Sequence, residues 1–135
     1  MDLLKDLKDN NYAIIASNGY YSFDSGIKPV ISKLNENIEY FKNLAVADKI
    51  VGKASAMLLC LSGVKRVYCV VLSKAGKQIL DKYGVVYKYE NLVEFIINRK
   101  GDDICPMEKT VKDIDDLNEA YKALNDKLST LQANR

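Results

Sequence analysis

Hydrophobic residues along this chain fall into short clusters whose spacing switches between the helix period and the strand period. Leu3, Leu4 and Leu7 share one face of a short helix predicted from Met1 to Lys8. Residues 12–16 (YAIIA) and 20–23 (YYSF) are β-prone runs, and the Ser17-Asn18-Gly19 between them suits a hairpin turn that needs positive φ. After the loop Asp24-Ser25-Gly26-Ile27, Pro29 stands at a first helical position, and Val30, Ile31, Leu34 and Ile38 recur at helical spacing. The segment Ala47 to Gly63 (ADKIVGKASAMLLCLSG) predicts a buried helix, with Asp48 as N-cap and Gly63 as terminator. Gly52, Ser55, Ala56 and Leu59 form one stripe of that helix, whose small members would let it approach a sheet closely.

Val67 to Leu72 (VYCVVL) is a continuous apolar run of strand length, as expected for a central strand covered on both faces. Ser73 then caps a helix through about Tyr83, Gly84 ends it, and residues 85–89 (VVYKY) return as a parallel strand by a right-handed crossover. Val93 to Ile97 reads as an antiparallel edge hairpin, and Asn98 to Ile104 as a polar loop. Cys105-Pro106-Met107-Glu108 opens a helical region in which Ile114, Leu117, Tyr121, Leu124, Leu128 and Leu131 alternate by three and four. That amphipathic C-terminal helix should pack mainly on its own sheet. The pattern predicts a three-layer α/β/α fold with a mixed sheet: an antiparallel N-terminal hairpin, central parallel strands, and a C-terminal helical extension over 105–135.

With 135 residues and 48% hydrophobic content, the chain supports one core and a single domain over 1–135. A formal net charge of +2 gives no argument for nucleic acid or a membrane as partner. The C-terminal residues 102–135 hold 5 basic and 8 acidic groups, so the preceding part is the more positive and the better home for an anionic ligand. The longest apolar run, Ala56 to Leu61, is far too short for a bilayer span, and no signal-peptide pattern opens the chain. Cys60, Cys69 and Cys105 are odd in number and two lie in apolar runs, which points to a reducing, cytoplasmic setting. The sequence contains no histidine, no CxxC, no GxGxxG and no Walker A pattern. Histidine-based catalytic triads and His-ligated zinc are thereby excluded within the chain, and no zinc or other cofactor is expected.

Three places carry candidate chemistry. Lys49 and Lys53 lie four apart at the start of the expected central helix, where cations are disfavoured by the dipole and an anionic ligand would relieve the repulsion. The plain alternative is a pair of solvated lysines. Ser73 lies at the carboxyl end of a parallel strand, where open α/β sheets bind ligands, and equally where any helix takes a cap. Cys105, outside the apolar runs and before a proline at a helix start, is the candidate nucleophile. Asp102, Asp103 and Glu108 oppose its ionisation, so a half-buried structural thiol is the competing reading.

The hairpin, the small-residue helix starting ADK, and the buried strand ending in Ser73 resemble the cytidine-deaminase-like fold. More specifically, SGIKP at 25–29, ADKIVGKASA at 47–56 and NRKGDDICPME at 98–108 resemble an uncharacterised prokaryotic family, domain of unknown function 1893. Deaminases carry a His/Cys-Ala-Glu motif and a Pro-Cys-x-x-Cys motif at two helix starts. Here those places read Asp48-Lys49 and Ser73-Lys74-Ala75, which cannot rebuild a zinc site. The resemblance implies a crevice where two helix N-termini face each other and bring Asp48, Lys49 and Ser73 together. The expected function is binding of a small anionic or nucleotide-like ligand there, by Asp48, Lys49, Lys53, Ser73, Ser25 and Gly26. The alternatives are a cysteine-dependent enzyme using Cys105, and a structural or regulatory homo-oligomer joined through sheet edges or the C-terminal helix.

Overall fold

A computed structural model describes residues 2–133. Met1, where the first helix was expected to begin, and Asn134 and Arg135 of the expected extension lie outside the described residues. The element order is α1 (Leu3–Asp9), β1 (Ile14–Ala16), β2 (Tyr21–Ser22), α2 (Lys28–Glu36), β3 (Ala45–Val51), α3 (Lys53–Ser62), β4 (Arg66–Ser73), α4 (Lys74–Lys82), β5 (Val86–Val93), α5 (Pro106–Val111) and α6 (Leu117–Ala133). The five strands form one sheet in the order β2-β1-β3-β4-β5. β1 is antiparallel to both β2 and β3, whereas β3, β4 and β5 run parallel. The result is the expected three-layer α/β/α arrangement with a mixed sheet.

One layer is thin. On that face α1 lays Leu3 and Leu7 over Ala47, with Leu4, Ile15 and Val70 around them. On the other face the main core joins Val46, Val67 and Leu72 of the sheet to Val30 and Ile31 of α2, Met57 and Leu58 of α3 and Leu80 of α4. α6 reaches this core through Ala120 and Leu124, both fully buried, but it packs against α3, α5 and α2 rather than on the sheet. The sheet face it was expected to cover is already occupied by α3.

Three local expectations are corrected. The segment from Ala47 is not a helix start: Ala45 to Val51 is the central strand, and α3 begins at Lys53 with Gly52 as its N-cap. β3 pairs on both sides, with β1 and with β4, and a double hydrogen-bonded ladder outweighs the local cap-like signal of Asp48. Lys49 and Lys53 therefore do not share a helix face. Likewise, residues 90–92 are not a turn, because Asn91, Leu92 and Val93 continue the pairing with Val71, Leu72 and Ser73. The hairpin contact lies further on, as an antiparallel bridge between Ile97 and Ile104. The C-terminal helical region is also broken after α5, and Asp116 caps α6 by accepting from the Glu119 N–H at 2.8 Å. Elsewhere the punctuation is as read. Ser73 caps α4, accepting from the Gly76 N–H at 3.0 Å, and Gly63 ends α3 in the left-handed region at φ 90°.

Candidate ligand cleft

α3 starts without a side-chain cap of its own, since its N-cap residue is a glycine. The acceptor comes from another helix: Glu108 of α5 takes the Lys53 N–H on Oε1 and the Ala54 N–H on Oε2, each at 2.8 Å. A Cβ on Gly52 would overlap that carboxylate, so glycine is what lets Glu108 approach the backbone. In return the Lys53 ammonium donates to the carbonyl of Lys112, just past the end of α5, at 3.1 Å. The two helices are thus joined with an anion at one N-terminus and a cation at one C-terminus, the senses the helix dipole favours. Burial pushes the Glu108 carboxyl above its ordinary value, and the Ala54 and Lys53 N–H groups oppose that rise.

This junction forms one wall of a cleft of about 790 Å³. Ser25 and Gly26 before α2 form another wall, and the segment from Ile96 to Cys105 crosses it. The Arg99 guanidinium donates to Ser25 Oγ at 3.0 Å and so ties the two loops together. Asn98 steadies the crossing segment, its N–H donating to the Asp103 carbonyl at 2.8 Å and its side-chain amide to Asp102 at 2.9 Å. Ile27, Ile97, Met107 and Leu128 supply apolar lining, while Lys28, Arg99 and Lys100 supply positive charge. Of the three acidic lining groups, Asp102 accepts from the Asn98 amide, Asp103 is paired with Lys109, which holds its carboxyl below the usual range, and Glu108 is committed to α3. Ser55, in the first turn of α3, also borders the cleft, and its buried hydroxyl has no hydrogen-bond partner among the described residues.

Of the residues expected to act together, the cleft collects Ser25, Gly26 and Cys105. The rest are placed elsewhere. Asp48 is buried on β3, where its Oδ1 accepts the Ile50 N–H at 3.1 Å, and burial pushes its carboxyl up to about 7. Lys49 donates to Asn11 Oδ1 at 2.6 Å and borders a separate shallow groove beside Leu7 and Lys8. Ser73 is buried as the cap of α4. The N-termini of α3 and α4 do face each other, but backbone on backbone: a Cβ on Gly76 would stand 3.0 Å from the carbonyl carbon of Gly52. Sequence reasoning missed Arg99 and Glu108 as parts of the site. The one available signal for Glu108 was a glycine where α3 needs a cap acceptor. Among the described residues no three His, Cys, Asp or Glu side chains cluster in a way that could hold a metal ion.

The fold and cleft define a small three-layer α/β/α protein built on one mixed five-stranded sheet. Residues 2–128 match the model of the family Domain of unknown function (DUF1893), and the chain belongs to that family. It is similar to a DUF1893 family protein from Thermotoga maritima, known from a crystal structure at 2.70 Å resolution. The two are 31% identical with a TM-score of 0.81, over 92% of this chain and 86% of that one. No curated protein matches the chain. Among the described residues no helix is long and apolar enough to cross a membrane.

Proposed function

We propose that this protein binds a small molecule with an anionic group and an apolar, nucleotide-like body in the cleft between Ser25-Gly26 and the Ile96–Cys105 segment. The observation that carries this reading is the cleft itself, where Lys28, Arg99 and Lys100, none of them ion-paired among the described residues, share the lining with Ile27, Ile97, Met107 and Leu128. Because Glu108 already accepts the first N–H groups of α3, the ligand's anion is held by these side chains rather than by the helix N-terminus. Arg99 is the residue best placed to do this, since it needs only to exchange the Ser25 hydroxyl for a stronger, charged acceptor. The body of the ligand is assigned as nucleotide-like by the resemblance of the sequence to the cytidine-deaminase-like fold.

Calorimetric titration with nucleoside monophosphates and the matching nucleosides tests this. A hydrogen bond to a charged group contributes about 1.5–3 kcal/mol, so Arg99→Ala should weaken monophosphate binding by roughly tenfold or more and leave nucleoside binding unchanged. Monophosphates that bind the variant as well as the parent, or that bind neither, would remove the reading.

A second reading uses Cys105 as a thiol nucleophile, favoured by its position on the wall of the same cleft, half-exposed and one turn before Glu108. Burial pushes the Cys60 and Cys69 thiols up to about 12, with the Asp48 charge adding to the effect on Cys69. Iodoacetamide at pH 8 should therefore alkylate Cys105 well before the other two, as read by peptide mass spectrometry. A Cys105 that stays unmodified until the protein unfolds would end the nucleophile reading and leave binding alone.

A further inference from the structure

The sheet ends very differently at its two edges. β2 is a two-residue strand, whereas β5 at the opposite edge runs for eight residues and has no strand on its outer side among the described residues. Long unpaired edges present a row of free N–H and C=O groups to any incoming strand, and stable monomers blunt them. β5 is not blunted. The strand is exposed along its length, with Val86 at 55%, Tyr89 at 39% and Leu92 at 39% of their full accessibility, and it contains neither proline nor glycine.

We propose that β5 pairs antiparallel with β5 of a second copy of this chain, about a twofold axis through Tyr89, to form a continuous ten-stranded sheet. The strand sequence VYKYENLV is complementary to itself in that register. Side chains alternate between faces, so Val86, Lys88, Glu90 and Leu92 share one face. With Tyr89 opposite the partner's Tyr89, Lys88 lies opposite the partner's Glu90, and Glu90 opposite the partner's Lys88. Val86 then faces the partner's Leu92 on both sides of the axis. A shift of the axis by one residue to Lys88 or to Glu90 sets like charges directly opposite, which is destabilising. A shift by half a residue leaves both charges without an opposite partner. Charge complementarity thus selects the partner, a second copy, together with the register. On the same face Lys8 of α1 already pairs with Glu90, so each carboxylate would lie between two ammonium groups.

Sedimentation of the parent protein and of Lys88→Glu and Glu90→Lys, each alone and as an equimolar mixture, tests this inference. The parent should dimerise. Each variant alone should bring like charges together at two symmetric places and weaken the dimer by about tenfold or more. The mixture should recover it, because in a mixed dimer every residue 88 faces an opposite charge at residue 90. Circular dichroism melting of each variant shows that the fold persists. A parent that stays monomeric at every attainable concentration, a dimer indifferent to Lys88→Glu, or a mixture that fails to recover would each overturn the inference.

Discussion

An Asp48→Asn variant will be more stable than the parent at pH 8 and about equally stable at pH 4. Asp48 sits on the central strand β3 at 7% exposure, and its carboxylate receives the Ile50 N–H, while the ammonium of neighbouring Lys49 is turned to Asn11. Desolvation is the dominant influence and pushes the carboxyl from 3.8 up to about 7. The sign follows from linkage. A carboxyl whose folded value lies above its unfolded value binds its proton more tightly when native. Its contribution is therefore fully present below about 4 and is lost as the pH rises through about 7. Above that, the native state carries a buried charge with no ion-pair partner among the described residues. Asparagine keeps a carbonyl acceptor for the Ile50 N–H and removes the charge. A shift of this size corresponds to on the order of 4 kcal/mol at pH 8, an upper figure because the new amide must itself be buried. Urea unfolding at pH 4, 6 and 8 reads the difference directly. Glu108, raised in the same direction, leaves the variant a smaller residual slope. Stability curves for parent and variant that run parallel across this range would show that the Asp48 carboxyl ionises in the folded protein at its ordinary value, unshifted by burial.

Asp48 also shows why part of the fold was legible in the sequence and part was not. The alternation of apolar runs and helical stripes is a local signal, and it places β4, α4 and the hairpin correctly because their burial follows from their own residues. Ser73 and Gly63 are equally local, a cap and a left-handed stop, and both act as read. The central strand is different. A polar Asp48-Lys49 pair followed by a small-residue run reads as a helix start, and only the pairing of β3 with Ile14 on one side and Cys69 on the other makes it a strand. That information lies in the neighbours. The break between α5 and α6, by contrast, was written locally in Asp116-x-x-Glu119, a capping pattern that the sustained three-four alternation obscured. For the cleft, Ser25, Gly26 and Cys105 could be picked from loop positions. Arg99 could not, because its partner Ser25 is 74 residues away in the chain.

The other large effect is expected at Glu108, whose carboxylate caps a helix 55 residues before it. Glu108→Ala should destabilise the protein by about 2–4 kcal/mol, since it removes two hydrogen bonds to a charged acceptor and leaves two part-buried N–H groups of α3 unsatisfied. Simple loss of a contact between α5 and α3 would also destabilise, so a second substitution is needed to show that capping is the cause. Gly52 provides it. Its backbone, at φ −104° and ψ −170°, is ordinary extended geometry open to any residue, and the three nearest atoms a Cβ would meet all belong to the Glu108 carboxylate. In the parent, Gly52→Ser should therefore be destabilising, because the new side chain competes with the carboxylate for the same space. In the Glu108→Ala background the space is vacant, and serine at an N-cap can accept from the same orphan N–H groups, recovering roughly 1 kcal/mol. One substitution is thus harmful or helpful according to whether Glu108 is present, a coupling that denaturant unfolding of the four proteins in the cycle measures. Two losses that simply add would show that Glu108 holds α5 in place by packing and that α3 does not depend on it for a cap.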